Sequence, residues 1–121
     1  MGRFACQRAG AKALKPAVLR PLAEQDLLRI TRWYTEQGGS WLGGRAFDAA
    51  RKALVRIEQM PALGSLRIGE RCNLPGLRLW GVEKFPIRWC YFERDAYLDV
   101  VRLLADRQDI AAILADEPLS E

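Results

Sequence analysis

Between Leu22 and Met60 apolar residues recur at helical spacing; between Leu77 and Leu104 they gather in short β-type runs, and the two regimes do not overlap. That segregation constrains the fold most. Helices followed by strands predict an α+β chain, whereas alternating elements would have predicted a parallel α/β sheet. In the first regime Ala23, Leu27, Ile30 and Tyr34 share one face of a helix predicted from Leu22 to Gln37. Pro21 suits the first helical positions, and Gly38-Gly39 stops the helix. A second helix is predicted from Arg45 to Met60, after a break at Gly43-Gly44. Its stripe is Phe47, Ala50, Leu54 and Ile57, and Pro61 ends it. Two such helices joined by a short glycine-rich link read as an antiparallel hairpin. Trp41 falls in that link, where it either staples the hairpin or meets a partner.

The second regime predicts strands at Leu77–Val82, Ile87–Glu93 and Tyr97–Leu104, rich in Val, Ile, Leu, Trp, Tyr and Phe. The connections Lys84-Phe85-Pro86 and Arg94-Asp95-Ala96 are too short for a parallel crossover, so these strands are antiparallel neighbours. Upstream, the apolar run Leu14 to Arg20 contains Pro16, which confines it to an edge strand or to a strand that begins near that residue. Residues 66–71 read as a short extended piece, and Ile110, Ile113 and Leu114 as a final short helix starting near Asp109. The predicted fold is a helical hairpin packed on a small antiparallel sheet, in the order β-α-α-β-β-β-α. A chain of 121 residues suits one domain. We expect it at 14–115, between a flexible basic leader at 1–13 and a short acidic tail at 116–121.

The chain has no histidine, and its three cysteines, Cys6, Cys72 and Cys90, form no CxxC pair. Zinc fingers, Ser-His-Asp hydrolysis and Cys-His proteolysis each need an imidazole or clustered thiolates. We therefore expect no metal, no cofactor and no catalytic residue of those kinds. Isolated thiols fit a reducing cytoplasm and small core positions. No apolar run approaches a membrane span, and the first 13 residues lack a signal-peptide core. The Met-Gly start resembles an acylation site, but Cys6 stands where that motif has Ser or Thr.

Charge is informative in kind. Arginines outnumber lysines fifteen to four, with a net charge of +4. A guanidinium offers a planar fork of donors for carboxylate or phosphate. Coding bias accounts for such an excess, and so does a basic surface that meets an acidic partner or nucleic acid. Arg78 and Trp80 alternate on one predicted strand, and Arg88 and Trp89 follow on the next. Arginine beside tryptophan serves structural cation–π packing or a stacking platform for bases. On the last strand simple alternation places Leu98, Val100, Arg102 and Leu104 on one face. A guanidinium among leucines needs a carboxylate partner, for which Glu83, Glu93 and Asp109 are the candidates; otherwise it opens onto a groove beside Arg78. The target- or partner-binding candidates are Arg78, Trp80, Arg88, Arg102 and Arg107.

Several segments resemble the ParE toxins of the ParE/RelE superfamily of type II toxin–antitoxin systems. They are Pro21-Leu22-Ala23-Glu24-Gln25-Asp26-Leu27, Met60-Pro61-Ala62-Leu63-Gly64-Ser65 and Leu74-Pro75-Gly76-Leu77-Arg78. The fullest is Leu98-Asp99-Val100-Val101-Arg102-Leu103-Leu104, continuing through Asp109-Ile110. The resemblance covers about residues 14–115. It departs at Ala105, where relatives often carry histidine, and at Gln108, where a basic residue usually precedes the Asp; Arg107 stands one place earlier. The resemblance implies a cytoplasmic toxin that inhibits DNA gyrase, blocks replication and is neutralised by a ParD-like antitoxin in a hetero-oligomer. Such systems serve plasmid maintenance or stress response. RelE-type relatives instead cleave messenger RNA on the ribosome. For that chemistry Arg78, Arg88, Arg102 and Lys84 supply cations and Tyr91 or Tyr97 a proton handle. A nucleic-acid-binding module and an inactive toxin remnant are the other readings.

Overall fold

The computed structural model describes residues 15–116. The leader 1–13, Cys6 and the tail beyond Asp116 lie outside the described residues. The fold is α+β, with one four-stranded sheet and one long helix. Strand β1 (Ala17–Leu19) leads into helix α1 (Pro21–Gln59). A 3-10 turn (Pro61–Leu63) and a short helix α2 (Arg67–Arg71) follow. Strands β2 (Leu77–Gly81), β3 (Ile87–Glu93) and β4 (Leu98–Ala105) then precede α3 (Ile110–Ala115).

Helix α1 is broken where the sequence places its first stop. Gly38 and Gly39 leave helical geometry, and Gly39 takes φ +83°, a conformation that glycine adopts without a Cβ penalty. Residues 40–59 then turn back, so that Gly43 lies against Thr31 and Thr35. A Cβ at Gly43 would collide with the Thr35 hydroxyl and stand 3.1 Å from the Thr31 carbonyl. The Gly43-Gly44 pair is therefore inside the helix, not in a link. Its first member permits the close approach of the two arms. Trp41, expected in a link, is helical and exposed.

The sheet order is β1-β4-β3-β2, with β2–β3 and β3–β4 antiparallel. β1 pairs parallel to β4, Ala17 against Leu98 through Leu19 against Val100, so the sheet is mixed. Residues 67–71 form α2 where an extended piece was expected. Gly69 lies close under the Leu74 and Leu77 carbonyls, and a turn of helix satisfies the local backbone that a lone strand would leave open.

Both faces of the sheet are covered. Ala23, Leu27 and Ile30 from the first arm of α1, with Ala50, Ala53, Leu54 and Ile57 from the second, pack on Trp89, Tyr91, Leu98, Val100 and Leu103. The Trp89 indole donates to the Ala50 carbonyl at 3.0 Å, fixing the second arm to the sheet. On the other face Leu77, Leu79, Cys90, Phe92, Val101 and Leu104 pack with Ile110 and Leu114 of α3. Asp109 caps α3 by accepting from the Ala112 N–H at 3.1 Å.

Simple alternation fails on β4. Cys90 pairs with Arg102 and Tyr91 with Val100, leaving Val101 as an extra residue at a β-bulge. Leu98, Val100 and Leu103 accordingly share one cluster, and Val101 and Leu104 the other. No helix among the described residues is long and apolar enough to cross a membrane.

Candidate functional site

The bulge pairs Arg102 with Cys90, and from there its side chain reaches Asp26 of α1. Its guanidinium donates to both carboxylate oxygens of Asp26, at 2.7 and 3.0 Å. Asp26 also accepts from Arg29 at 2.8 Å and from the Leu103 backbone N–H at 3.0 Å. Asp26 thus seals the edge of β4 beyond the end of β1, and Gln108 continues the seal by accepting from the Ala105 N–H at 2.7 Å. The partner of Arg102 is Asp26, not Glu83, Glu93 or Asp109. A second buried carboxylate, Asp99, is held by Arg20 and Arg94. Burial pushes its pKa upward, but the hydrogen bonds and charges of the two arginines outweigh burial and hold it below the ordinary value.

The five candidate residues do not converge on one spot. Arg78 donates to the Gly64 carbonyl at 2.8 Å and to the Ala62 carbonyl at 3.2 Å. The Tyr91 hydroxyl works on the same loop, donating to the Pro61 carbonyl at 2.7 Å and accepting from the Gly64 N–H at 3.0 Å. Gly64 packs so tightly there that a Cβ would meet Arg78 and Tyr91 at 2.8 and 2.7 Å. Arg88 pairs with Asp106 at 3.0 Å on the surface. Arg107 is exposed and lies 5.5 Å from the Trp33 ring centroid. Trp33 in turn meets Tyr34 edge-on at 4.9 Å, and Tyr34 meets Phe85 at 5.1 Å. Desolvation raises the Tyr34 pKa and the nearby Arg107 charge partly offsets this.

Trp80 alone of the five lines a groove of about 600 Å³ between the second arm of α1 and the β2–β3 turn. Its basic residues are Arg45, Lys52, Arg56 and Lys84, and its acidic ones Asp48 and Glu83. Ala49, Ala53, Val82 and Phe85 supply apolar lining. Lys52, Arg56 and Lys84 have no carboxylate within ion-pairing distance among the described residues. Arg45 lies 4.9 Å from the centroid of the exposed Trp41 ring. Lys84 takes φ +70°, so the turn itself fixes where its side chain starts. The sequence signal was the spacing of Arg45, Lys52 and Arg56, which puts three cations along one side of a helix. Read alone, Lys52 and Lys84 are ordinary solvated charges.

This arrangement offers binding more readily than acid–base turnover. Tyr91 is buried with its hydroxyl already donated, and burial raises its pKa. Burial, reinforced by the Asp26 charge, pushes the Cys90 thiol up to about 12, leaving it a core residue. Cys72 is also free, and no group of three or more acidic or cysteine side chains among the described residues is placed to hold a metal.

No protein-family profile matches the chain, and no curated protein matches it significantly. A solved structure does. The chain is similar to one in the structure of the chromosomal ParDE TA system from P. aeruginosa, with a TM-score of 0.62 and 20% identity, over 72% of this chain and 90% of that one. At that identity the likeness defines the fold, which is ParE-like.

Proposed function

We propose that the protein is the toxin of a type II toxin–antitoxin system, acting by gripping DNA gyrase and neutralised by a ParD-like antitoxin. The observation that carries this reading is the fold likeness to a chain of the ParDE TA system, over most of both chains. It agrees with the resemblance of the sequence segments around Arg78 and Arg102. Leu28, Trp33, Trp41 and Met60 are exposed at 61%, 42%, 67% and 55%, which leaves large apolar side chains in water for a partner to cover. An acidic antitoxin segment that folds as it binds suits such a basic surface. Arg107 stacked near Trp33 is the member of the original five best exposed for contact with a target.

The nuclease reading is disfavoured by the same geometry. Arg78, Arg88 and Arg102 are each engaged with a different partner, so they do not converge on one phosphate. The experiment is a supercoiling assay with purified gyrase and the full chain, alongside primer-extension mapping of transcripts after induction. Blocked supercoiling with intact transcripts is the expected result. Untouched gyrase together with discrete new RNA ends would replace this reading with the ribosome-dependent endonuclease. Growth unaffected by induction would mark an inactive remnant.

A further inference from the structure

The groove beside the β2–β3 turn combines a row of cations with an aromatic wall. Along the second arm of α1 its cations and small residues follow one side of the helix: Arg45, Ala49, Lys52, Ala53 and Arg56. From Arg45 to Arg56 this row spans about 16 Å at ~1.5 Å per residue. Lys84 faces the row from the turn. Four positive charges against two negative leave the lining net positive. Three of these cations, Lys52, Arg56 and Lys84, are exposed and have no carboxylate partner among the described residues. The indole of Trp80, only partly buried, makes no hydrogen bond to the described residues and gives the groove an aromatic wall.

Size admits a nucleotide-sized ligand. A volume of about 600 Å³ falls within the ~300–1,000 Å³ of small-molecule sites. We propose that the groove binds a nucleoside polyphosphate. Lys52, Arg56 and Lys84 take the phosphates, the base lies against Trp80, and Asp48 or Glu83 accepts from a ribose hydroxyl or an exocyclic amine. Lysine and arginine are the usual donors to phosphate, and an aromatic face takes any base. The inference stands apart from the toxin reading, since it needs neither gyrase nor an antitoxin.

The test is calorimetric titration of the full chain with ATP, ADP, AMP, inorganic triphosphate and a ten-nucleotide oligouridine, at low and high salt. Affinity should rise from AMP through ADP to ATP, exceed that for triphosphate alone and fall with salt. Lys52→Glu should weaken ATP about tenfold or more, the loss of one charge-assisted contact and its replacement by repulsion. Lys84→Asn gives a second variant whose side chain tolerates the left-handed turn, and it should weaken ATP in the same direction. Unfolding midpoints near that of the parent chain would show that both variants fold. Three results overturn the proposal: no heat with ATP, ATP binding that ignores both substitutions, or triphosphate binding as tightly as ATP. Oligouridine binding far tighter than ATP would also overturn it, assigning the groove to a strand rather than to a free nucleotide.

Discussion

The two sides of the sheet use charge in opposite ways. On the β1–β4 side every buried carboxylate is occupied: Asp26 by Arg102, Arg29 and a backbone N–H, Asp99 by Arg20 and Arg94. Glu58, buried at the start of this side, accepts from the Ala17 N–H at 2.7 Å and so holds β1 to the end of α1. On the β2–β3 side, Lys52, Arg56 and Lys84 stand around a groove with no carboxylate in ion-pairing reach among the described residues. The contrast separates cations that hold the fold from cations left for a partner. A guanidinium enters a low-dielectric site only with its counter-charge in place, as Arg102 does with Asp26.

Substitutions on the two sides should therefore diverge. The largest effect is expected at Asp26. Asp26→Ala takes the carboxylate away from the Arg102 guanidinium and the Leu103 N–H together, and removing one partner of a buried pair costs about 3–5 kcal/mol. Urea unfolding measures it directly. A smaller effect falls where the arms of α1 meet. Gly43→Ala drives a methyl into Thr35 and should cost about 1–3 kcal/mol, as overpacking does. Its neighbour gives the control: a Cβ at Gly44 meets nothing within 4 Å, so Gly44→Ala should stabilise by up to ~1 kcal/mol.

Acid should act through Asp99. Its folded pKa lies below the ordinary 3.8, so its contribution is fully present above that value and drains away as pH falls toward the folded pKa. Unfolding followed from neutral pH into acid should show a steepened loss below about pH 4, which Asp99→Asn flattens. The smallest effects belong to the groove. Lys52→Ala and Arg56→Ala should change stability by no more than about 0.5 kcal/mol, as exposed positions without partners do. A large loss at either would erase the distinction between the two sides.

Much of this fold is readable in the sequence because periodicity is local. The buried stripe Ala23, Leu27, Ile30 and Ala50, Leu54, Ile57 follows from spacing, as do the three long strands, whose observed bounds differ from the expected ones by one residue at most. Glycine pairs are less legible. Gly38-Gly39 breaks the helix and Gly43-Gly44 does not, yet both are a Gly-Gly within a helical stretch. Only the approach of Thr31 and Thr35 tells them apart. The bulge at Val101 defeats alternation, because an inserted residue leaves no mark on composition. Arg102 and Asp26 are separated by 76 positions, so no local pattern links them. The groove escaped for a similar reason: its cations come from a helix and a turn that only the fold brings together.

Arg102 carries the sharpest question, since the same side chain can be read as a target contact or as an internal strut. Equilibrium unfolding of Arg102→Ala, with growth arrest scored on the same variant, decides it. We predict a marked fall in the unfolding midpoint, with toxicity lost only as the folded population is lost. An unchanged unfolding curve with toxicity abolished would contradict the account and return Arg102 to the target-binding surface.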